Sequence, residues 1–266
     1  MSSVLYDSPG PVTRRRERFG SIVGGLVVLA ALGLAAGYAA RHGAFGSDRW
    51  NVLFDPPKGQ RASIVWKSML VDGLGATLRA AAAATPLALA GGLLLALWRT
   101  AQRAWLRLPA TVVVELFRGM PVLLMMFLAT VGFGWSAFGA VVFGLAVYNM
   151  ATIAEILRAG LAALPKGQAE AAHAIGLSRR QTMFSVLLPQ AVRVMLPSLI
   201  SQLVVLLKDS SLGFIVGYAE LLRSIQTNAN FFGNQYLVAL FVAGAGTYLV
   251  VNITLSRVAV WIQHRA

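Results

Sequence analysis

The sequence has no cysteine and few charged residues. Without cysteine it can form neither disulfides nor thiolate metal sites. Charged residues make up only 12% of the 266, whereas 57% are apolar and the mean hydropathy is +0.68. This profile is typical of a protein that crosses a membrane several times, and it excludes an ordinary soluble domain.

Acidic residues are the scarcer charges, with 10 acidic against 23 basic residues and a formal net charge of +13. In a soluble protein this excess would suggest a nucleic-acid partner. Here no polar domain is left to bind one, so no nucleic acid is predicted. The excess is instead typical of loops that stay in the cytoplasm.

The sequence also lacks a nucleotide-binding motif. No stretch reads G-x-x-x-x-G-K-[ST], so the chain has no P-loop of its own. The three histidines are scattered, and no nucleophile stands in a recognisable pattern with a base. The sequence therefore predicts a protein that is not an enzyme and has no catalytic residue, metal site or cofactor.

Six segments are long and apolar enough to span a membrane, which takes about 20 mostly apolar residues in a helix. The sequence therefore predicts an all-α membrane protein with six transmembrane helices. The first segment has a longer apolar core than a signal peptide, so it is predicted to remain as an anchor. The predicted spans are 20–40, 68–98, 108–131, 137–158, 190–215 and 235–260.

Basic residues beyond these spans or close to their ends fall unequally on the two sides of the membrane, with fourteen on the side of the amino terminus and six on the other. Since cytoplasmic loops are enriched in Lys and Arg, both termini are predicted to be cytoplasmic. The predicted organisation is a basic cytoplasmic tail (1–19), a transmembrane anchor (20–40), an extracytoplasmic linker (41–66), a core of five spans (67–262) with a cytoplasmic loop at 159–190, and a cytoplasmic tail (263–266).

One stretch between two spans, "PKGQAEAAHAIGLSRRQTMFSVLLP" at 165–189, is polar. Pro165 suits the first position of a helix, and Gly176 suits a left-handed residue that ends one. Ser178, with a glutamine three residues later, has the signature of a capping box at the start of a second helix. That helix is predicted to stop at Pro189. The pattern therefore predicts a helix, a sharp turn and another helix.

This stretch resembles the EAA loop of permeases of ATP-binding-cassette importers. The shared pattern is Glu-Ala-Ala, three residues, Gly, nine residues, an aliphatic residue, one residue and Leu-Pro, with Val186 in place of the usual isoleucine. The segments 114–123, 154–168 and 206–222 are similar to the polar-amino-acid branch of this family. The amino-terminal tail and the linker resemble the glutamate-type permeases of actinobacteria.

The resemblance implies the fold of a type I importer permease and a role as the transmembrane subunit of an ATP-driven amino acid importer. Such a permease pairs with itself or with a sister chain, sits among membrane lipids and receives substrate from an extracytoplasmic binding protein. Separate ATPase subunits, which use ATP and Mg, dock on the EAA loop. The residues that this implies for coupling are Glu170, Ala171, Ala172, Gly176, Arg179 and Arg180.

A charged residue inside a membrane span costs free energy, so each one needs a structural or functional explanation. An amino acid substrate needs a cationic or N–H-rich place for its carboxylate and an anionic one for its ammonium. A break in the helix at the serines that follow Asp209 would let irregular backbone line a cavity. The predicted substrate pathway comprises Arg118, Asn149, Glu155, Lys208, Asp209, Ser210 and Ser211.

Several alternatives remain open at this point. Glu115 with Arg118, and Glu155 with Arg158, can form ion pairs that only stabilise their own helices. Lys208 can be an anchor that reaches the membrane surface. The substrate can be glutamate, glutamine, arginine, histidine or aspartate. The chain can also be an ion-driven secondary transporter or a membrane scaffold, although neither needs the polar helix pair.

Overall fold

The computed structural model describes residues 10–41 and 43–265, which form helices and no strand. Residues 1–9 of the predicted tail and residue 266 lie outside the described residues. The predicted all-α fold is confirmed for the part described. The helices are α1 (Pro11–Arg41), α2 (Ser47–Trp50), α3 (Ala62–Arg99), α4 (Ala104–Gly119), α5 (Val122–Gly132), α6 (Ala137–Ala163), α7 (Lys166–Ala174), α8 (Arg179–Phe214), α9 (Leu221–Phe232) and α10 (Leu237–Arg265).

Five helices of the described chain are long and apolar enough to cross a membrane: α1, α3, α6, α8 and α10. A sixth span exists if α4 and α5 are counted together, because this pair passes the same test but bends by 101° between Gly119 and Val122. The predicted span 108–131 is therefore broken. Pro121 lies at the bend, where its ring and its missing N–H prevent a straight helix.

Two predicted boundaries change. The first helix begins at Pro11, so the basic residues of the predicted tail continue the anchor as helix. The linker 41–66 is shorter than predicted because α3 already begins at Ala62. Both helices extend beyond the apolar runs because the neighbouring residues include no breaker that would end a helix there.

The predicted stop at Pro189 is wrong, since α8 runs through it. The turns before it are wide: Thr182–Leu187 forms a π-helical segment, in which the Leu188 N–H donates to the Met183 carbonyl, five residues back. Pro189 is then the second residue of the following α-helical segment. A proline is tolerated in a first turn, where its missing N–H is not needed, and the wide turn makes room for its ring.

The core of the bundle is the contact between α3 and α6. Alanines at positions 80, 84 and 88 of α3 are completely buried. Gly92 lets the two helices approach closely, because a Cβ at this position would lie 2.6 Å from the Ile153 side chain. Small residues at a helix contact are typical of membrane bundles, where packing rather than the hydrophobic effect holds helices together. Helices α4, α5 and α8 complete this core.

A second core lies at the end of the bundle where α3, α6 and α10 begin. Val52 and Leu53 of the linker are buried there with the start of α3, with α9 and with α10. The Trp66 indole N–H donates to the Leu53 carbonyl at 2.9 Å. The linker is therefore folded onto the bundle. We call this end the linker end, and the other, where α3 and α6 finish and α8 starts, the basic end.

Candidate functional site

The polar stretch at the basic end forms the predicted helix–turn–helix. Gly176 has a φ of 84°, and it ends α7 in a Schellman motif: its N–H donates to the His173 carbonyl at 3.0 Å, and the Leu177 N–H to the Ala172 carbonyl at 3.1 Å. The predicted capping box is also present. The Ser178 N–H donates to Gln181 Oε1 at 2.9 Å, and the Gln181 N–H donates to the Ser178 hydroxyl.

Of the six predicted coupling residues, only Ala172 is buried, at 4% exposure. The other five, Glu170, Ala171, Gly176, Arg179 and Arg180, are exposed. The structure adds Ile175, which is 79% exposed at the turn. An isoleucine this exposed in a polar segment has no role in the core of the chain. It was not predicted, although an apolar residue directly before a turn glycine is a visible signal.

An ion-pair cluster joins three helices at the basic end. Glu155 of α6 contacts Arg158 at 2.6 Å and Arg99, the last residue of α3, at 2.5 Å. Glu115 of α4 contacts Arg99 at 3.1 Å and Arg118 at 3.0 Å, and Arg118 lies 3.8 Å from Glu155. Three cations and two carboxylates therefore share one site.

The pairs predicted along single helices, between Glu115 and Arg118 and between Glu155 and Arg158, are both present. Arg99 was not predicted as a member, because its sequence position suggests only a basic loop. Its side chain is 9% exposed and holds both carboxylates. A guanidinium suits this place, since its fork can bond two acceptors at once. The cluster therefore ties the ends of α3 and α4 to α6.

Asn149 lies apart from this cluster and deep in the bundle. It is completely buried. Its Nδ2 donates to the Leu145 carbonyl at 2.7 Å, and its Oδ1 accepts from Gln202 Nε2 at 2.8 Å. Both ends of the amide are thus satisfied, and the contact joins α6 to α8. In this conformation Asn149 has a structural role.

The remaining predicted pathway residues lie near the linker end of α8. The helix is α-helical to Asp209 and tightens to a 3-10 segment at Ser210–Phe214, so its hydrogen bonding changes at the predicted break but α8 continues through it. Ser210 is buried and its hydroxyl donates to the Leu207 carbonyl at 2.7 Å. Ser211 and Asp209 are half-buried, and Lys208 is exposed. The candidate residues thus fall into three separate groups.

A buried carboxylate at the start of α9 was not predicted. Glu220 is completely buried and caps α9, accepting from the Leu222 and Arg223 N–H groups at 3.0 and 2.9 Å. Burial raises the pKa of this carboxyl above its ordinary value, although the two backbone donors and Arg223 oppose the shift. Glutamate is not among the preferred capping residues, so this cap could not be predicted from the residue type.

A bundle of long apolar helices with an ordered polar helix pair at one end is the architecture of a multi-span membrane protein. The chain belongs to the family of the binding-protein-dependent transport system inner membrane component, whose model matches residues 88–266. It is a permease subunit of an amino acid ABC transporter.

The similar proteins are named as transporters of amino acids. The glutamate transport system permease protein GluD of Corynebacterium glutamicum is 46% identical over 211 residues, which cover 76% of this chain and 77% of the relative. The probable glutamine ABC transporter permease protein GlnP of Bacillus subtilis is 35% identical, covering 72% and 91% of the two chains. A crystal structure of an amino acid ABC transporter with histidines has a TM-score of 0.69 at 29% identity and covers 77% of this chain and 97% of its own.

Proposed function

We propose that the chain is the membrane-spanning subunit of an ATP-driven importer of L-glutamate. The observation that carries this is the 46% identity to a glutamate permease over most of both chains. Glutamine is the second candidate, since a probable glutamine permease is 35% identical over a similar length. Arginine, histidine and aspartate are weaker alternatives within the same class.

The helix pair at 165–189 is the proposed contact with the ATPase. Five of its six candidate residues are exposed, and Ile175 adds an apolar group that a partner would cover. Arg179 and Arg180 form no ion pair among the residues that the structure describes. They also stand at the start of α8, where the helix dipole disfavours cations. A partner with acidic groups would remove this disadvantage.

The proposed assembly follows from this contact. Two permeases, identical or sister chains, would pair in the membrane, each with an ATPase subunit on the basic end. A binding protein would deliver substrate at the linker end. Both termini would then lie in the cytoplasm, in keeping with the excess of basic residues on that side.

ATP-dependent uptake by reconstituted vesicles tests the proposal. The permease, its ATPase and the binding protein are placed in liposomes, and labelled glutamate is supplied with ATP or with an ion gradient alone. We expect uptake with ATP and none with the gradient. Uptake driven by the gradient alone would instead identify a secondary transporter, and no uptake of glutamate in either condition would show that the proposed substrate is wrong.

A further inference from the structure

Helix α4 stays at the basic end along its whole length. It starts at Ala104, five residues after Arg99, the last residue of α3. Glu115 lies eleven residues further, about 16 Å along a helix, and its carboxylate still contacts Arg99 at 3.1 Å. Arg118, the second-last residue of α4, lies 3.8 Å from Glu155 of α6 at the same end. A helix that crossed the membrane would instead carry its last residues away from this end.

The bend after α4 agrees with this placement. Helix α5 turns by 101° from the direction of α4, so the two helices are nearly perpendicular. Because α6 begins at the linker end, the chain returns to that end between α4 and α6. Helix α5 and the residues that join it to α6 make this return. Helix α4 therefore lies across the bundle rather than along it.

Two faces of α4 are accounted for by the bundle and by solvent. Ala110 and Val114 are 2% and 0% exposed and belong to the core that α4 forms with α3 and α6. Successive residues turn by about 100° around a helix, so Arg107, Glu115 and Arg118 fall together on a second face. All three are exposed. One face is thus packed and its neighbour is polar.

The third face of α4 is an open apolar stripe, formed by Trp105, Leu108, Val112 and Leu116. Spacings of three and four residues align these side chains along one side of the helix. They are 66%, 60%, 65% and 54% exposed, so the rest of the described chain does not cover them. A continuous apolar surface of this kind marks a contact with a membrane or with another protein.

We propose that α4 lies in the surface of the membrane at the basic end, with its apolar stripe in contact with lipid. Trp105 favours lipid as the partner, since tryptophan is enriched where a membrane meets water. Arg103 and Arg107 form no ion pair among the described residues, and their long side chains can reach lipid phosphates. A helix with basic residues beside a stripe of Trp and Leu is typical of one that lies in this interface.

This placement gives α4 a mechanical role. Arg99 ties it to α3, and Arg118 ties it to α6, so a helix held by lipid fixes the basic end at the membrane surface. The predicted span 108–131 is then a surface helix followed by the segment that crosses. The proposal goes beyond the import of glutamate and does not depend on which amino acid is carried.

The absence of cysteine from the chain makes a direct test possible. Single cysteines replace the four stripe residues in turn, each carries a spin label, and the permease–ATPase complex is placed in vesicles. Collisions with oxygen, which enters lipid, and with a nickel chelate, which stays in water, measure the depth of each label. We expect all four labels to meet oxygen more often than the chelate and to lie at one shared depth.

Helix α10 supplies the matched control. Leu249 and Val260 are exposed and eleven residues apart, as Trp105 and Leu116 are. Leu249 lies near the middle of the apolar stretch Asn234–Val258 and Val260 lies beyond its end, so the label at Leu249 should be much deeper. A comparable difference in depth between Trp105→Cys and Leu116→Cys would show that α4 crosses the membrane, and would overturn the proposal.

Two other outcomes would overturn it as well. Stripe labels that meet the nickel chelate as readily as oxygen would show that the stripe faces water. Stripe labels that are shielded from both reagents would show that another protein chain covers it.

A second measurement uses neighbouring positions on different faces. Arg107→Cys lies on the polar face, so its label should meet the nickel chelate, whereas the label of Leu108→Cys should meet oxygen. Equal access at the two positions would contradict a helix that lies at the boundary of lipid and water. The comparison of depths needs only two stripe variants that assemble, so the failure of one variant to fold does not prevent a decision.

Discussion

At the scale of single residues, the ion-pair cluster shows how charges are held together at the basic end, where α3, α4 and α6 meet. Each of its two carboxylates contacts at least two arginines, and Arg99 serves both. Removing one partner of a buried ion pair costs more than the pair contributes, because the other charge stays buried. Loss of the less exposed carboxylate should therefore destabilise the protein more than loss of the more exposed one.

Glu155→Gln should lower the melting temperature of the purified permease more than Glu115→Gln. Glu155 is 22% exposed and holds the buried Arg99 and also Arg158, whereas Glu115 is 50% exposed. We expect a loss of about 1–3 kcal/mol for Glu155→Gln and less than about 1 kcal/mol for Glu115→Gln. Thermal unfolding in detergent measures both, and equal melting temperatures would contradict this ranking.

The sequence predicted two of these ion pairs because both lie within one helix, where a spacing of three residues fixes the contact. It could not predict Arg99, whose two partners lie 16 and 56 residues away and meet it only through the packing of α3 on α4 and α6.

At the scale of elements, local signals were sufficient at 165–189. Gly176, Ser178 and Gln181 each act on residues within a few positions, and the turn and the cap formed as predicted. Pro189 was misread because its effect depends on the wide turn before it. Helix α9 was missed because it is too short and too polar to span a membrane, although Leu221, Ile225 and Ala229 recur at helical spacing.

Gly176→Val should uncouple ATP hydrolysis from transport while leaving the protein folded. No atom lies within 4 Å of a Cβ at this position, so the strain comes only from the positive φ, about 1–2 kcal/mol for an L-residue. Relief of this strain would tilt α7 against α8. We expect less glutamate imported for each ATP hydrolysed, measured in the same vesicles.

Two controls belong to that measurement. Gly176→Asn should retain most of the coupling, because asparagine tolerates the left-handed conformation. Gly167→Val, which adds the same side chain to α7 in open space and without a positive φ, should behave as the wild type does. A wild-type ratio of import to hydrolysis in Gly176→Val would show that the turn does not transmit motion.

At the scale of the whole molecule, the composition and the apolar runs were enough to predict a helical membrane bundle. Run length is a property of the sequence alone, so five long spans appeared as expected. Two features were not predicted: the bend of 101° between α4 and α5 and the folding of the linker onto the bundle. Both depend on how neighbouring helices pack, which the length of an apolar run does not show.

Helix α1 is the part of the molecule that packs least. None of its most apolar window is buried by the rest of the described chain. The family model begins only at residue 88 and so does not include it. Neither hydrophobic core of the described residues contains a residue of this helix.

The most direct test of the account is competition for ATP-driven uptake. Vesicles that contain the permease, its ATPase and the binding protein are given labelled glutamate and ATP, with an excess of unlabelled glutamate, glutamine or aspartate. The account predicts that unlabelled glutamate abolishes the uptake of label and that glutamine leaves most of it. Suppression by glutamine as strong as that by glutamate, or uptake that persists without ATP, would contradict it.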